Sequence, residues 1–511
     1  MGTQTIRTVA ELMTSPAVTA RTDDTLRAAG ETMSGAGVGS VVVVEGGRPL
    51  GILTERDLVR AAAAGAQPEQ SLVGAWMTPR PDCVGPDVEV AEAWTSLADR
   101  RYRHIPVVAG DEVKGVVSMR DLMGIAQLRP VAGSFTDVPR GLKGVVVAET
   151  SVGDVRGLEG FYHYRQYSAV ELAEKRSLED VWYLLTFGEL PDPSEQRAFR
   201  ARVAALRQLP DAVMRALPAV ARASDGPLMG LRTVLSLLAA EEGFRPSIDA
   251  GPEELTSNAL RVAAVTPTAI AALARMARGL EPVAPDERLG HTANYLYMLS
   301  GEAPDDRRCR AIESYQISTI DHGFNASTFT ARVVTSTGAD LGSAVVAAIG
   351  SLSGPLHGGA PSRALDTLDA IGDPSRTEAW VRDAVARGER IMGFGHPVYR
   401  TYDPRSAMLR DIARSFGGPL VEFAESVERT ILTVLAELKP GRELHTNVEF
   451  YAGVVMEQCG LERSLFTPTF AASRVIGWCA HILEQAADNR IIRPSARYVG
   501  PPPPQPVPAA D

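Results

Sequence analysis

Residues Gly393–Arg405 read GFGHPVYRTYDPR, and this stretch decides the fold and points to the site. His396 follows a Gly-Phe-Gly turn, so backbone approaches it closely and little side-chain cover surrounds it. Glycine permits the unusual backbone angles such a setting needs. Asp403-Pro404 then reads as a turn or cap entering a helix, with Arg405 in its first turn. The chain has eight histidines, and two more of them stand in comparable settings. One is His322 in Asp321-His-Gly-Phe-Asn-Ala-Ser-Thr328. The other is His357 in Gly354-Pro-Leu-His-Gly-Gly359. Each alone reads equally well as a structural histidine, but three in one chain point to a site.

Around these segments the composition is helical from about Gly141 onward. Ala/Leu/Arg/Glu-rich stretches punctuated by Pro and Gly include Val170–Thr186, Ser194–Leu206, Leu228–Glu242, Pro267–Gly279, Arg308–Ile320, Gly342–Ser353, Thr377–Arg387, Arg405–Ser415, Phe423–Leu438 and Phe466–Ala487. Apolar residues recur at helical spacing, as in Val427, Ile431, Val434 and Leu438. A strand pattern shows only near Val145–Ala148. The expectation is a mainly α domain.

The first quarter contains an internal repeat. Met13-Thr14 recurs as Met77-Thr78, Val41–Val44 as Ile105–Val108, and the run Gly51–Leu58 as Gly115–Leu122, each 64 residues on. Constant register implies two copies of one supersecondary unit. Each copy reads as a helix (Thr25–Ser34; Glu89–Asp99), a β-branched strand, a Gly-containing turn and a second strand. A further helix begins at Thr54 or Ser118. Thr and Ser are good N-caps, and Asp57 and Asp121 fall in the first turn.

Composition sets outer bounds. With 511 residues, two or three domains are expected. A net charge of −10 and a pI near 5.5 argue against a general nucleic-acid binder. Four cysteines without a C-x-x-C pair indicate neither a zinc site nor a disulfide framework, which fits a reducing cytoplasm. Met1–Met13 lacks the apolar core of a secretory signal, and the apolar run Leu341–Leu352 is too short for a membrane span. No membrane association is expected.

The three histidine segments, in this order, resemble the citrate synthase family. The resemblance covers roughly Gly141–Gly500. It is carried also by Gly141-Leu-Lys-Gly-Val145, Tyr164-Arg165, Leu184–Pro191, Asn447-Val-Glu-Phe-Tyr451, Ser473-Arg474 and Arg493-Pro-Ser-Ala-Arg-Tyr498. It implies a mainly α fold of large and small helical domains. The implied activity is condensation of acetyl-CoA with oxaloacetate and water to citrate and CoA, or of propionyl-CoA to 2-methylcitrate. By motif position Glu449 is the base, His357 the donor to the thioester oxygen, and His396 the group that polarises the ketone. His322, Arg405, Arg474 and Arg493 fall at oxaloacetate-binding positions, the last reaching a partner subunit's site, so a homodimer or higher homo-oligomer is implied. Gly393, Phe394, Gly395 and Arg400 match CoA-binding positions. No metal and no resident cofactor are implied.

Two departures stand out. Many members carry aspartate where this chain has Glu449, and a Tyr-Arg-Gly-Tyr segment is altered at Gln166. Glutamate remains a competent base; a catalytically weak nucleotide-sensing platform is the reading from a different class.

The front repeat resembles a tandem CBS pair, an α+β module, through its G-x-x-[ST]-x-x-D-L endings. Such pairs commonly bind adenine nucleotides, which would place Thr54 and Ser118 on phosphate and Asp57 and Asp121 on ribose. The same four residues read equally well as helix caps, with the module a dimerisation element. The organisation expected is a CBS pair at 1–128 (repeats about 8–64 and 72–128), a linker at 129–140, a catalytic domain at 141–500 with its small domain at roughly 357–455, and a Pro-rich tail at 501–511.

Overall fold

The computed structural model describes residues 8–90, 104–118, 121, 140–142, 144–355, 357–358, 360–395, 399, 401–441, 443–496, 498–501, 503–505 and 507. His396, Arg400 and Arg497 lie outside these residues, as do nearly all of the second repeat's expected first helix, all of the linker but Arg140, and much of the tail. Contacts divide the chain into two units, 1–145 with 499–511, and 146–498.

In the first unit the repeat governs how strands pair. Ser40–Glu45 and Arg48–Thr54 form an antiparallel hairpin across Gly46-Gly47, both at positive φ as a two-residue hairpin turn requires. His104–Ala109 and Glu112–Ser118 form its counterpart, with the same register shift (Val43/Val44; Val107/Val108). The entry segment of each repeat adds to the other repeat's hairpin: Thr14 bridges Val116, and Thr78 pairs with Ile52. Gly51 and Gly115 are glycines because Met77 and Met13 lie where a Cβ would stand. Thr25 caps the helix Leu26–Ala36, and Thr54 precedes the helix Glu55–Ala63.

The second unit opens with a small antiparallel meander, Gly153–Arg156, Phe161–Tyr164 and Tyr167–Ser168. This corrects the expectation at Val145–Ala148, which forms no strand. Val145 and Val146 are exposed and Val147 is only partly buried, so burial gives that run little reason to pair, whereas Tyr162 and Tyr164 alternate into the core. Their hydroxyls donate to the Ser318 and Ile317 carbonyls (3.2 and 2.8 Å), docking the meander on the end of the helix Asp306–Thr319.

The rest is helical. Several expected boundaries shift; the helix expected from Phe423 begins at Pro419. Val170–Thr186 is two helices, Ala169–Lys175 and Leu178–Phe187, because Ser177 and Asp180 form a capping box that starts the second. The helix expected at Pro267 begins at Pro252 and runs through Pro267 to Ala277. It is packed on all sides at its centre, where Val265, Thr266, Ala269 and Ile270 have no exposure, and this burial overrides the proline. By length and composition it could cross a membrane, but 83% of its most apolar window is buried inside the unit. The helices Asp211–Ala223, His291–Ser300, Ala326–Ser336, Ala360–Ile371 and Val448–Gln458 were not legible as segments in the sequence.

The helix Phe466–Ala487 packs beside Pro252–Ala277. Gly477 lets the Ile320 carbonyl press against this helix, where a Cβ would strike it. This contact fixes the segment that leads into Asp321 and His322.

His291 is buried edge-on to Trp182 (5.2 Å between ring centroids), and neither ring nitrogen has a hydrogen-bond partner among the described residues. Burial, aided by Arg207, pushes its pKa down to about 3. In the unfolded chain it titrates near 6.5. The folded state therefore binds fewer protons in this window, and stability complete above about pH 6.5 is lost as pH falls toward 3. This group should cost about 2 kcal/mol between pH 7 and 5. His291→Phe is expected to flatten that part of the stability curve in urea unfolding at the two pH values.

Candidate active site

Asp321 and His322 leave the end of the helix Asp306–Thr319. Asp321 is buried; His481 Nε2 lies 3.2 Å from its Oδ1 and the Gly323 amide donates to its Oδ2 (3.1 Å). This holds the turn that presents His322. The His322 ring lies between Tyr162 and Tyr399, with Nε2 3.1 Å from the Tyr399 hydroxyl. Asn325 then caps the helix Ala326–Ser336, its Oδ1 accepting from the Ser327 and Thr328 amides.

His357 sits in a tight turn, its amide donating to the Gly354 carbonyl (2.9 Å). Its Nε2 meets Ser327 Oγ at 2.8 Å. The Trp478 indole can only donate, and it donates to the same Oγ (3.1 Å). The Ser327 hydroxyl donates to the Asn325 oxygen (2.8 Å), which also accepts the Ser327 and Thr328 amides. Ser327 is thereby fixed in place and orients the His357 ring. Burial, then Arg474, lowers the His357 pKa to about 4, so the ring is a neutral donor at pH 7. Because the hydrogen bond to Ser327 orients the imidazole, Ser327→Ala should lower kcat about tenfold, the worth of one such hydrogen bond, with little change in KM. Steady-state kinetics with both substrates varied checks this.

Arg405 is buried and held by Asp403, which meets Nε at 3.0 Å and Nη2 at 2.9 Å. Burial acts to lower the guanidinium pKa, but Asp403 more than offsets this and raises it. Asp403 also caps the helix Pro404–Phe416 and accepts from the Val448 amide (3.1 Å). It is therefore a cap, as the sequence suggested, but also the partner of a site arginine, which the sequence reading missed. The Asp-Pro-Arg spacing was the available signal: a carboxylate two residues before the arginine on the first helical turn can reach it.

Arg474 differs. It is 2% exposed, its Nε donates to the Thr319 carbonyl (2.7 Å), and its guanidinium lies over the Phe470 ring (4.6 Å). No carboxylate among the described residues forms an ion pair with it. Burial lowers its pKa, partly countered by Asp321.

Glu449 stands in the first turn of the helix Val448–Gln458, which Asn447 caps. Its carboxylate has no hydrogen-bond partner among the described residues. Burial pushes its pKa up to about 7; Arg405 and Arg474 oppose this and Asp403 adds to it.

These groups line one cavity of about 720 Å³. It brings together His322, His357, Gly393, Phe394, Gly395, Arg405, Glu449 and Arg474. Arg390 and Lys439, not singled out in the sequence, also line it. Arg493 is exposed and is not among the lining residues. In the first unit, Asp57 accepts from the Thr54 amide and hydroxyl (2.9 and 2.8 Å), and Asp121 from those of Ser118 (2.8 and 2.6 Å). Thr54 and Asp57 thus form a capping box at the start of the helix Glu55–Ala63, and Ser118 and Asp121 share the same pair of hydrogen bonds.

A neutral imidazole donor, a carboxylate poised near neutrality and a buried unpaired guanidinium define an enzyme cavity suited to proton abstraction beside a carbonyl in the presence of an anion. Comparison with known proteins places the catalytic unit. Residues 141–495 match the family model "Citrate synthase, C-terminal domain", and residues 9–64 and 73–127 each match the CBS domain. The chain is 41% identical over 368 residues to a citrate synthase of Haloferax volcanii, covering 71% of this chain and 96% of that one. It is 39% identical over 371 residues to a 2-methylcitrate synthase of Mycobacterium tuberculosis, covering 73% and 93%. Among solved structures, the ternary complex of Thermoplasma acidophilum citrate synthase with carboxymethyl coenzyme A and oxaloacetate aligns with a TM-score of 0.68 at 28% identity, covering 72% and 98%. The chain belongs to the citrate synthase family and carries a pair of CBS domains ahead of its catalytic unit.

Proposed function

We propose that this protein condenses acetyl-CoA with oxaloacetate and water to give citrate and CoA, an acyl transfer that forms a carbon–carbon bond. The observation that carries this reading is Arg474, buried and without an ion-pair partner among the described residues, in one cavity with Glu449 and His357. A desolvated guanidinium without a counter-charge is costly unless an anion completes the site. Oxaloacetate, a dianion with planar carboxylates, matches guanidinium geometry.

Glu449 takes a proton from the acetyl methyl while the neutral His357 imidazole donates to the thioester oxygen. The resulting enol attacks the oxaloacetate ketone. By its family position His396 protonates the new alkoxide, and water then cleaves the thioester to release CoA. Arg405, Arg474 and His322 hold the dianion, joined by Arg493 from a second copy of the chain in a homodimer. Gly393, Phe394, Gly395 and Arg400 meet CoA. Neither metal nor resident cofactor enters this scheme, and a cytoplasmic setting suits its substrates. The proposed domain plan is a CBS pair at 1–128 and a catalytic domain at 141–500, with a small domain at roughly 357–455. Adenine nucleotide at Thr54, Asp57, Ser118 and Asp121 would modulate turnover by binding one catalytic form more tightly than another.

Propionyl-CoA is the second reading, favoured by the similar identity to a 2-methylcitrate synthase. A pocket discriminates one methylene by only ~1–3 kcal/mol. Thiol release with each acyl-CoA, with and without ATP, decides among these. The expected result is turnover with acetyl-CoA preferred and a rate changed by ATP. Propionyl-CoA preferred would reassign the substrate, an ATP-independent rate would remove the regulatory role, and no turnover with either would make the unit a non-catalytic platform.

A further inference from the structure

We propose that Glu428 is a positioning residue for the condensation, setting the pose of Glu449 from outside the cavity; this deepens, and rests on, the assignment of Glu449 as the base. The loop that precedes Glu449 is laced to the glycine turn that leads into His396. The Gly395 amide donates to the His445 carbonyl (2.8 Å), and the Asn447 amide to the Gly393 carbonyl (2.9 Å). Asn447 Nδ2 donates to the Gly395 carbonyl (2.9 Å), and Phe394 bridges Thr446. One backbone ladder therefore sets both the start of the base's helix and the turn before His396.

Glu428 grips this ladder. It projects from the helix Pro419–Leu438, is 6% exposed, and is not among the residues lining the cavity. Its carboxylate accepts from Thr446 Oγ1 (2.6 Å), three residues before Glu449, and from the Tyr451 hydroxyl, two residues after it. One buried carboxylate thus pins the chain on both sides of the base. Asp403 holds the intervening Val448 amide, and Arg410 Nη1, 4.0 Å from Glu428, balances its charge. A carboxylate suits two hydroxyl donors because both its oxygens only accept. Glutamine offers one acceptor and one donor, so one of the two bonds must reverse or break.

A displacement of about 1 Å can cost about a hundredfold in rate. In the full-length protein, Glu428→Gln is expected to lower kcat about tenfold and Glu428→Leu about a hundredfold. KM for oxaloacetate should stay within about twofold, because Arg405 and Arg474 are untouched. Tyr451→Phe removes one donor with little change in packing and should share the kcat loss, so the test survives if the Leu variant fails to fold. Variants with wild-type kcat and only a lower Tm would overturn the proposal, as would losses confined to KM for oxaloacetate. A wild-type protein without turnover would overturn the underlying assignment of the base and this inference with it.

Discussion

Replacing Glu449 by glutamine is expected to lower kcat by about a thousandfold while leaving oxaloacetate binding intact. The side chain keeps its shape and loses the proton-accepting function, and general-base contributions run to about 10²–10⁴-fold. The same group predicts the pH profile. With its pKa near 7, Glu449 is an effective base only where it is ionised, so kcat/KM should rise with unit slope below about pH 7 and level off above. His357, near 4, stays neutral throughout that range and adds no limb of its own. The stability consequence has the opposite sign to the activity. A carboxyl whose folded pKa is raised favours folding in its protonated form, so that contribution is present at low pH and lost as pH rises through 7. Glu449→Gln should therefore melt higher than wild type at pH 8 while turning over far less. A variant both inactive and less stable would point to a structural role.

Replacing Arg474 by methionine should raise KM for oxaloacetate by about a hundredfold or more. Truncating one partner of a buried charged contact costs about 2–5 kcal/mol. Removing an unpaired buried charge should not destabilise the unliganded protein, since methionine fills similar space without the desolvation cost. Oxaloacetate should raise the Tm of the wild type and leave that of Arg474→Met unchanged. Arg405→Met is predicted to behave differently, because it strands Asp403 without its guanidinium and should lower the Tm even without ligand. Thermal melts of the three proteins with and without oxaloacetate separate the two arginines.

Much of the catalytic unit was legible because its chemistry sits in short, glycine-rich words. His322 and His357 are flanked by residues whose local geometry is decided within a few positions, Glu449 was placed by the family resemblance alone, and the cavity gathers all three. The ends of Leu341–Leu352, which Asp340 caps, and of Phe466–Ala487 fell within a residue of expectation. What the sequence hid was long-range. The continuous helix through Pro267 depends on burial from all sides, which local propensity cannot express. The meander at 153–168 is too short for its alternation to show. Ser327 lies within the His322 segment but meets a histidine 30 residues away, and Glu428 bonds a residue 18 positions on with nothing in its own neighbourhood to mark it. In the front unit the 64-residue register was enough to anticipate paired hairpins, but not that each repeat lends its entry segment to the other.

The most direct test follows the fate of carbon-13 in the methyl group of acetyl-CoA during turnover with oxaloacetate. Carbon NMR should find the label in a methylene of a tricarboxylic acid, with one free thiol formed per oxaloacetate consumed. Label recovered as free acetate, with oxaloacetate unconsumed, would mean simple thioester hydrolysis and would contradict carbon–carbon bond formation in this cavity.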